Sequence, residues 1–405
     1  MDEKKVIYLV MVEGGSENHN KYYRMIPNGD YFTVQYGRVG AGCQTRTYHI
    51  SQWNKKYNEK IRKGYVDQTH LVQDLITTEP VAKSEYKQIE DQDIEEIVNR
   101  LMKMAREKVQ QNYRVSSNQV TQAMVDEAQN VIDTLMGCDT LEDFNDTLLK
   151  LFTVIPRRMN DVNSYLAKKK EDFPRILKDE QDLLDVMRGQ VVTQAVQVTE
   201  TEEDPQTKDV TVLEAMGLTF EPVSEREISM IKSKLGECKD RFRKAWKVRN
   251  LATQKRFDDF VEQENIKDTR LFWHGSRNEN WWSIINTGLV LRPTNAVITG
   301  KMFGYGIYYA PKAQKSLGYT SLSGSYWARG NSNSGFMALM SVAYGKPYDV
   351  HSFDSKYYDF NYEKLQKACE GANCLHAHAG NMLRNDEVIV YKEEQSTIQY
   401  LVELS

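Results

Sequence analysis

Cysteine is scarce in this chain, and long apolar runs are missing. The five cysteines, Cys43, Cys138, Cys238, Cys369 and Cys374, are scattered over 405 residues and include no C-x-x-C pair. That argues against a disulfide scaffold and against a zinc finger of the usual spacing. No stretch of eighteen apolar residues occurs, so no membrane-spanning helix and no membrane partner are expected. The start, Met1-Asp2-Glu3-Lys4-Lys5, lacks the apolar core of a signal peptide, which predicts an intracellular protein. An excess of positive charge is absent too. With 53 Lys and Arg against 57 Asp and Glu, the net charge is −4. A uniformly basic protein is excluded, but a local nucleic-acid patch is not. There is no internal repeat, no long low-complexity tract and no complete G-x-G-x-x-G dinucleotide fingerprint.

What is present describes a soluble globular protein, 40% hydrophobic and 27% charged. Its length exceeds one ordinary core, so two or three domains are expected. Residues 1–75 read as β-rich. Ile7–Val12 and Tyr31–Tyr36 are short runs of β-formers, the second following the turn signal Asn28-Gly29-Asp30. A helix with a basic face is expected over Ser51–Lys63. Residues 90–195 read as a helical bundle. Ile94, Ile97, Val98, Leu101 and Met102 recur at helical spacing, as do Val120, Met124, Ala128, Ile132 and Leu135. Ser117 is a candidate cap for the second helix, and Pro156 stops the one that carries Phe144, Leu148 and Phe152. The acidic stretch Thr199–Pro205 reads as a linker, and residues 206–405 mix helix and strand.

Four short runs in that last segment carry chemistry. They are His274-Gly275-Ser276-Arg277, Met302-Phe303-Gly304-Tyr305-Gly306-Ile307-Tyr308, Lys315-Ser316-Leu317-Gly318-Tyr319 and Glu387-Val388-Ile389-Val390-Tyr391. Taken singly, the pieces have plain structural readings: His274 a structural histidine, Tyr308-Tyr309 a strand on a core, Gly304-Tyr305-Gly306 a turn, Glu387 an exposed strand-edge carboxylate. A further group, Cys369, Cys374, His376 and His378, invites a metal reading. No matching ligand pair is visible elsewhere, so a polar loop ahead of the last strands and no metal are expected.

Together and in this order, the four runs resemble the catalytic domain of the poly(ADP-ribose) polymerases, whose His-Tyr-Glu signature falls on His274, Tyr308 and Glu387. The resemblance implies transfer of ADP-ribose from NAD⁺, used as a substrate, with loss of nicotinamide and with neither prosthetic group nor metal. It implies that Gly275 and Ser316 bind the carboxamide, that Ser276 continues this cofactor-binding motif, and that Tyr308 and Tyr319 sandwich the pyridinium ring. His274 would hold the adenine-side ribose, Glu387 the nicotinamide ribose and the acceptor, and Lys315 would position Glu387. Met302 would line the acceptor site. The chain departs from the family pattern after Gly288-Leu289, where Arg292 stands two residues beyond Val290. It departs again at Asn385-Asp386, where polymerising members tend to carry Tyr-Asn.

Near the N-terminus, Tyr36-Gly37-Arg38-Val39-Gly40 resembles the core of the WGR domain, with support from Trp53-Asn54-Lys55-Lys56-Tyr57. From Cys43 to Tyr65 six basic residues face a single acid, Glu59, a pattern that attracts phosphates. The implied partners are DNA ends or nicks, contacted by Arg38, Trp53, Lys55 and Lys56, and protein acceptors including the enzyme itself. Leu151–Pro156 resembles part of the helical regulatory domain that restrains such enzymes until DNA binds. The expectation is therefore a multidomain α+β protein: a small β-rich WGR domain (1–75), a helical regulatory domain (90–195) and a mixed α/β ADP-ribosyltransferase domain with antiparallel sheets (206–405). A eukaryotic source would place it in the nucleus, a bacterial one in the cytoplasm. Two other readings stay open: a mono-ADP-ribosyltransferase acting on protein or DNA ends, and a catalytically silent DNA-end-binding scaffold.

Overall fold

Alternating strands and amphipathic helices build two compact units. The computed structural model describes residues 4–72, 86–112, 120–197, 208–291, 302–380 and 383–405. The linker stretch Thr199–Pro205, Ser117 and Arg292 lie outside these residues. One unit consists in the main of Met1–Ala82 with Arg106–Gln194, the other of Lys83–Ala105 with Glu203–Ser405.

In the first unit, β1 (Ile7–Glu13), β2 (His19–Asn28), β3 (Tyr31–Arg38), β4 (Gln44–His49) and β5 (Val66–Asp67) form one antiparallel sheet in the order β4-β3-β2-β1-β5. The β2–β3 hairpin pairs Asn28 with Tyr31, so its two-residue turn is Gly29-Asp30, one position later than the Asn28-Gly29 signal suggests. Gly29 alone takes a positive φ there, of 58°. Alternate residues Leu9, Tyr23, Met25, Phe32 and Val34 fill the inner face, and Trp53, the first residue of the helix Trp53–Arg62, packs into them. The helices Gln122–Leu135 and Leu141–Val154 follow the apolar spacing of the sequence. Their N-caps are Thr121 and Thr140, whose side chains accept from the backbone N–H groups of Met124 and Asp143. Phe144 stacks on Phe173 of the helix Phe173–Gln197 at a centroid distance of 3.8 Å.

The second unit holds the sheets that position the chemistry. β6 (Tyr86–Lys87) and β7 (Lys208–Thr211) form a short parallel pair, and five strands run in the order β10-β12-β16-β9-β8, from β8 (Leu218–Pro222), β9 (Phe242–Asn250), β10 (Thr269–Gly275), β12 (Gly335–Ala343) and β16 (Ser396–Leu404). Their ladders are all antiparallel. β12, an inner strand, is buried along nearly its whole length. Trp273, Met337, Leu339, Val402 and Leu404 pack under the helix Glu225–Leu235, which Ser224 and Glu227 close with a capping box. Four more strands run in the order β11-β15-β14-β13, from β11 (Ile307–Tyr309), β13 (Pro347–Val350), β14 (Cys374–Ala377) and β15 (Glu387–Val390). The stretch around Cys374 is thus a strand, not the polar loop expected from its composition. β14 pairs β13 in parallel and β15 antiparallel, so it is an inner strand. An antiparallel bridge between Trp273 and Ala310 joins the two sheets, with reciprocal N–H···O bonds of 2.9 Å. The helix Gln92–Asn112 enters this unit through its first turns, where Arg100 pairs with buried Glu403 at 2.6 Å.

Candidate active site

The Trp273–Ala310 bridge brings the four runs together. β10 ends in His274-Gly275, β11 carries Tyr308, and β15 opens with Glu387, which lies beside β11 through the Tyr308↔Ile389 and Tyr309↔Val388 pairs. The short helix Ala313–Leu317 then crosses the mouth of the sheet with Lys315 and Ser316.

Each side chain is held. His274 Nδ1 donates to the Tyr308 carbonyl at 3.1 Å, which fixes the ring's protonated nitrogen. Its ring makes edge-type contacts with Trp281 and Tyr309, at 6.3 and 6.0 Å between centroids. The Tyr308 hydroxyl accepts from the Phe303 N–H at 3.0 Å and donates to the Gly304 carbonyl at 3.2 Å, so the ring cannot swing. Ser316 is buried, and its hydroxyl donates to the Trp273 carbonyl at 3.1 Å. That leaves Oγ lone pairs as acceptors. Ser276 Oγ accepts from Asn280 at 3.0 Å. Gly275 is dictated by packing, because a Cβ there would lie 2.0 Å from the Ser316 carbonyl oxygen.

Glu387 is buried, with a relative exposure of 8%, and forms an ion pair with Lys315. Burial raises the Tyr308 phenol well above its ordinary range, and the Glu387 charge adds to this. Burial and the same charge push Tyr319 up to about 12. Both tyrosines are therefore neutral aromatic faces beside a carboxylate. Tyr319 remains 40% exposed. Met302 packs, half-buried, on the cluster around Phe303 and Tyr308. One ring was missed in the sequence. Trp327 stacks on Tyr319 at 6.1 Å and 20° and extends the aromatic wall outward. The exposed pair Tyr326-Trp327 in a Ser/Gly-rich stretch was its only signal.

Expected DNA contacts are placed unevenly. Lys55 is exposed on the helix Trp53–Arg62, and Lys56 is half-buried, 4.6 Å above the Tyr48 ring. Trp53 and Arg38 face inward. Trp53 is 4% exposed and packs edge-on against Phe32, so it is a core residue and not a stacking platform. Arg38 turns its guanidinium inward, onto the carbonyls of Asn18, Met159 and Asn160. Those bonds use most of its five N–H donors.

Comparison with known proteins agrees with this geometry. Residues 225–405 match the model of the poly(ADP-ribose) polymerase catalytic domain, and residues 6–72 match the WGR domain. A putative poly [ADP-ribose] polymerase-like protein, 100L, of Invertebrate iridescent virus 6 is 31% identical over 182 residues, 44% of this chain and 94% of that protein. The chain belongs to the poly(ADP-ribose) polymerase family. Longer relatives align over less of their length. Poly [ADP-ribose] polymerase 2 of Homo sapiens is 40% identical over 84 residues, 21% of this chain and 13% of that protein. Its namesake from Arabidopsis thaliana is 29% identical over 173 residues, 36% of this chain and 25% of that protein. This polymerase-family chain is an NAD⁺ ADP-ribosyltransferase of mixed α/β fold with a DNA-binding type of module at its N-terminal end. No helix among its described residues is long and apolar enough to cross a membrane.

Proposed function

We propose that the chain transfers ADP-ribose from NAD⁺ to protein acceptors, itself included, when DNA breaks engage its WGR domain, and that it extends the product into chains. The pairing of Lys315 with buried Glu387, beside Tyr308 and Tyr319, carries this reading. Breaking the bond between nicotinamide and ribose C1′ builds an oxocarbenium-like cation on the sugar. Nicotinamide leaves with the bonding pair, and an acceptor oxygen then bonds to C1′ and gives up its proton. A fixed carboxylate stabilises that cation most where water is excluded.

Glu387 holds the 2′-hydroxyl of the nicotinamide ribose and polarises the acceptor, and Lys315 positions it. Tyr308 and Tyr319 face the two sides of the pyridinium ring, whose charge suits an aromatic face. Backbone groups of Gly275, with Ser276 and the Oγ of Ser316, bind the carboxamide. His274 holds the adenine-side ribose, and Met302 lines the acceptor site. The domain roles follow: residues 1–75 bind DNA ends or nicks, residues 90–195 restrain the enzyme, and residues 206–405 catalyse.

A second reading, transfer of single units, is favoured by Asp386. It stands where polymerising relatives tend to carry Asn, and its carboxylate accepts from the Ala379 N–H at 2.8 Å. The test is nicotinamide release from labelled NAD⁺ with and without short 5′-phosphorylated nicked or blunt DNA, followed by digestion of the product. DNA-stimulated release with chain fragments is expected, and Glu387→Ala should reduce it about 10²-fold or more. Single units under saturating NAD⁺ would replace the polymerase by the mono-transferase. No release from the folded parent protein would leave a DNA-binding scaffold.

A further inference from the structure

Behind the strand that carries Glu387 lies a second cluster of ionisable side chains. β13 and β14 run in parallel with Asp349 opposite His376, so these two project from one face of the sheet. His378, two residues beyond His376, and His351, two beyond Asp349, continue that face. Three of the chain's seven histidines meet there. The rings of His376 and His378 stack at 4.1 Å, and those of His378 and His351 at 4.4 Å. On the next strand β15 pairs Glu387 with Ala377, so its predecessor Asp386 falls on the histidine side. Asp386 Oδ2 is 3.2 Å from His376 Nε2 and 3.8 Å from His378 Nδ1. Asp349 Oδ1 is 2.7 Å from His378 Nε2.

We infer that Asp349, His376 and His378 form a binding site for a zinc-class divalent metal ion, with Asp386 as the adjoining carboxylate. Each of the three offers a ligand atom, and these atoms all lie within 4.8 Å of one another. A tetrahedral zinc with bonds of about 2.0–2.1 Å spaces its ligands at about 3.3 Å. Closing that gap needs only side-chain rotation at a rim where Asp349 is exposed and both imidazoles are half-buried. Two imidazoles and a carboxylate suit zinc, cobalt or nickel, whereas magnesium and calcium prefer oxygen ligands. An outer support is also in place. The Tyr344 hydroxyl lies 2.8 Å from His376 Nδ1, so it can donate to that nitrogen while Nε2–H faces Asp386, and accept its N–H once Nε2 binds the ion. Imidazole ligands usually have such a partner on the second nitrogen. The thiol of Cys374 takes no part, because it is buried and donates to the Tyr344 carbonyl at 3.3 Å.

The site is distinct from the NAD⁺ chemistry, since alternation along β15 puts Asp386 and Glu387 on opposite faces. An ion there would tie β13 and β14 to the residue before Glu387, so its expected effect is on stability. The test uses the full chain, stripped with chelator and titrated with Zn²⁺ by calorimetry and with Co²⁺ by visible absorption, with Mg²⁺ as control. One equivalent of Zn²⁺, a cobalt ligand-field band, a raised melting temperature and no Mg²⁺ response are expected. His378→Ala should abolish all three signals. Asp349→Asn, at a more exposed position that leaves the strands intact, should weaken binding at least 10-fold. No zinc binding, or binding unchanged in both variants, would overturn the site.

Discussion

At the scale of single residues, the catalytic reading depends on clearances of an ångström. Gly275 has room only because it lacks a Cβ, which would stand 2.0 Å from the Ser316 carbonyl oxygen. That neighbour is backbone on a short helix and not the end of a flexible side chain, so it cannot yield cheaply. Gly275→Ala should push Lys315 and Ser316 away from β10. Misplacement of about 1 Å can cost about 10²-fold in rate. We expect kcat/KM for NAD⁺ to fall by about that factor, with a small drop in melting temperature, as read by steady-state nicotinamide release and a thermal melt. An active, unshifted variant would remove Gly275 from the nicotinamide site. The sequence displayed the Gly and the Ser in separate runs 41 residues apart. The contact between them exists only through the bridge of Trp273 to Ala310, and no local pattern encodes that pairing.

At the scale of elements, periodicity was a good guide where one face is buried. The helices Gln122–Leu135 and Leu141–Val154 bury the apolar positions that the sequence spaces, and the second ends just before Pro156. The same reasoning, carried further, would have placed Trp53. Trp53, Tyr57 and Lys60 share one helical face, and all three pack toward the sheet, Lys60 with its ammonium 4.4 Å above the Tyr23 ring. What no pattern reveals is polar pairing between distant segments. Arg157 and Glu180 are 4% and 7% exposed and form a bidentate pair within the first unit. Removing one partner strands the other as a buried charge, which costs about 3–5 kcal/mol. Arg157→Ala should therefore lower the urea midpoint strongly, whereas an Arg157→Met, Glu180→Leu double variant should recover much of the loss. Equal loss in the single and the double variant would show that packing, not charge, holds this segment.

At the scale of the whole molecule, the proposed DNA binding by a chain of net charge −4 requires its cations to be concentrated. The sequence gathers six basic residues between Cys43 and Tyr65, and the structure divides them. Lys55 and Arg62 stand exposed on the outer face of the helix Trp53–Arg62, and Arg46 is exposed on β4. Lys60 is partly buried, and that burial lowers its pKa, with Lys63 nearby adding to the effect. Arg38 and Trp53, also expected at the DNA, make contacts inside the first unit. Two kinds of variant should then behave differently. Lys55→Ala and Arg62→Ala change only the phosphate-facing charge. Each lost phosphate contact reduces the slope of log Kobs against log salt by about 0.9. We expect that decrement for each variant in anisotropy titrations of a short nicked duplex, with the melting temperature unchanged. Trp53→Ala should weaken DNA binding only in step with a fall in melting temperature, since it empties the core beside Phe32. If Trp53→Ala lost affinity while fully folded, the indole would have to leave the core on DNA. If the lysine and arginine variants kept the parent slope, the DNA would lie on another face of the module.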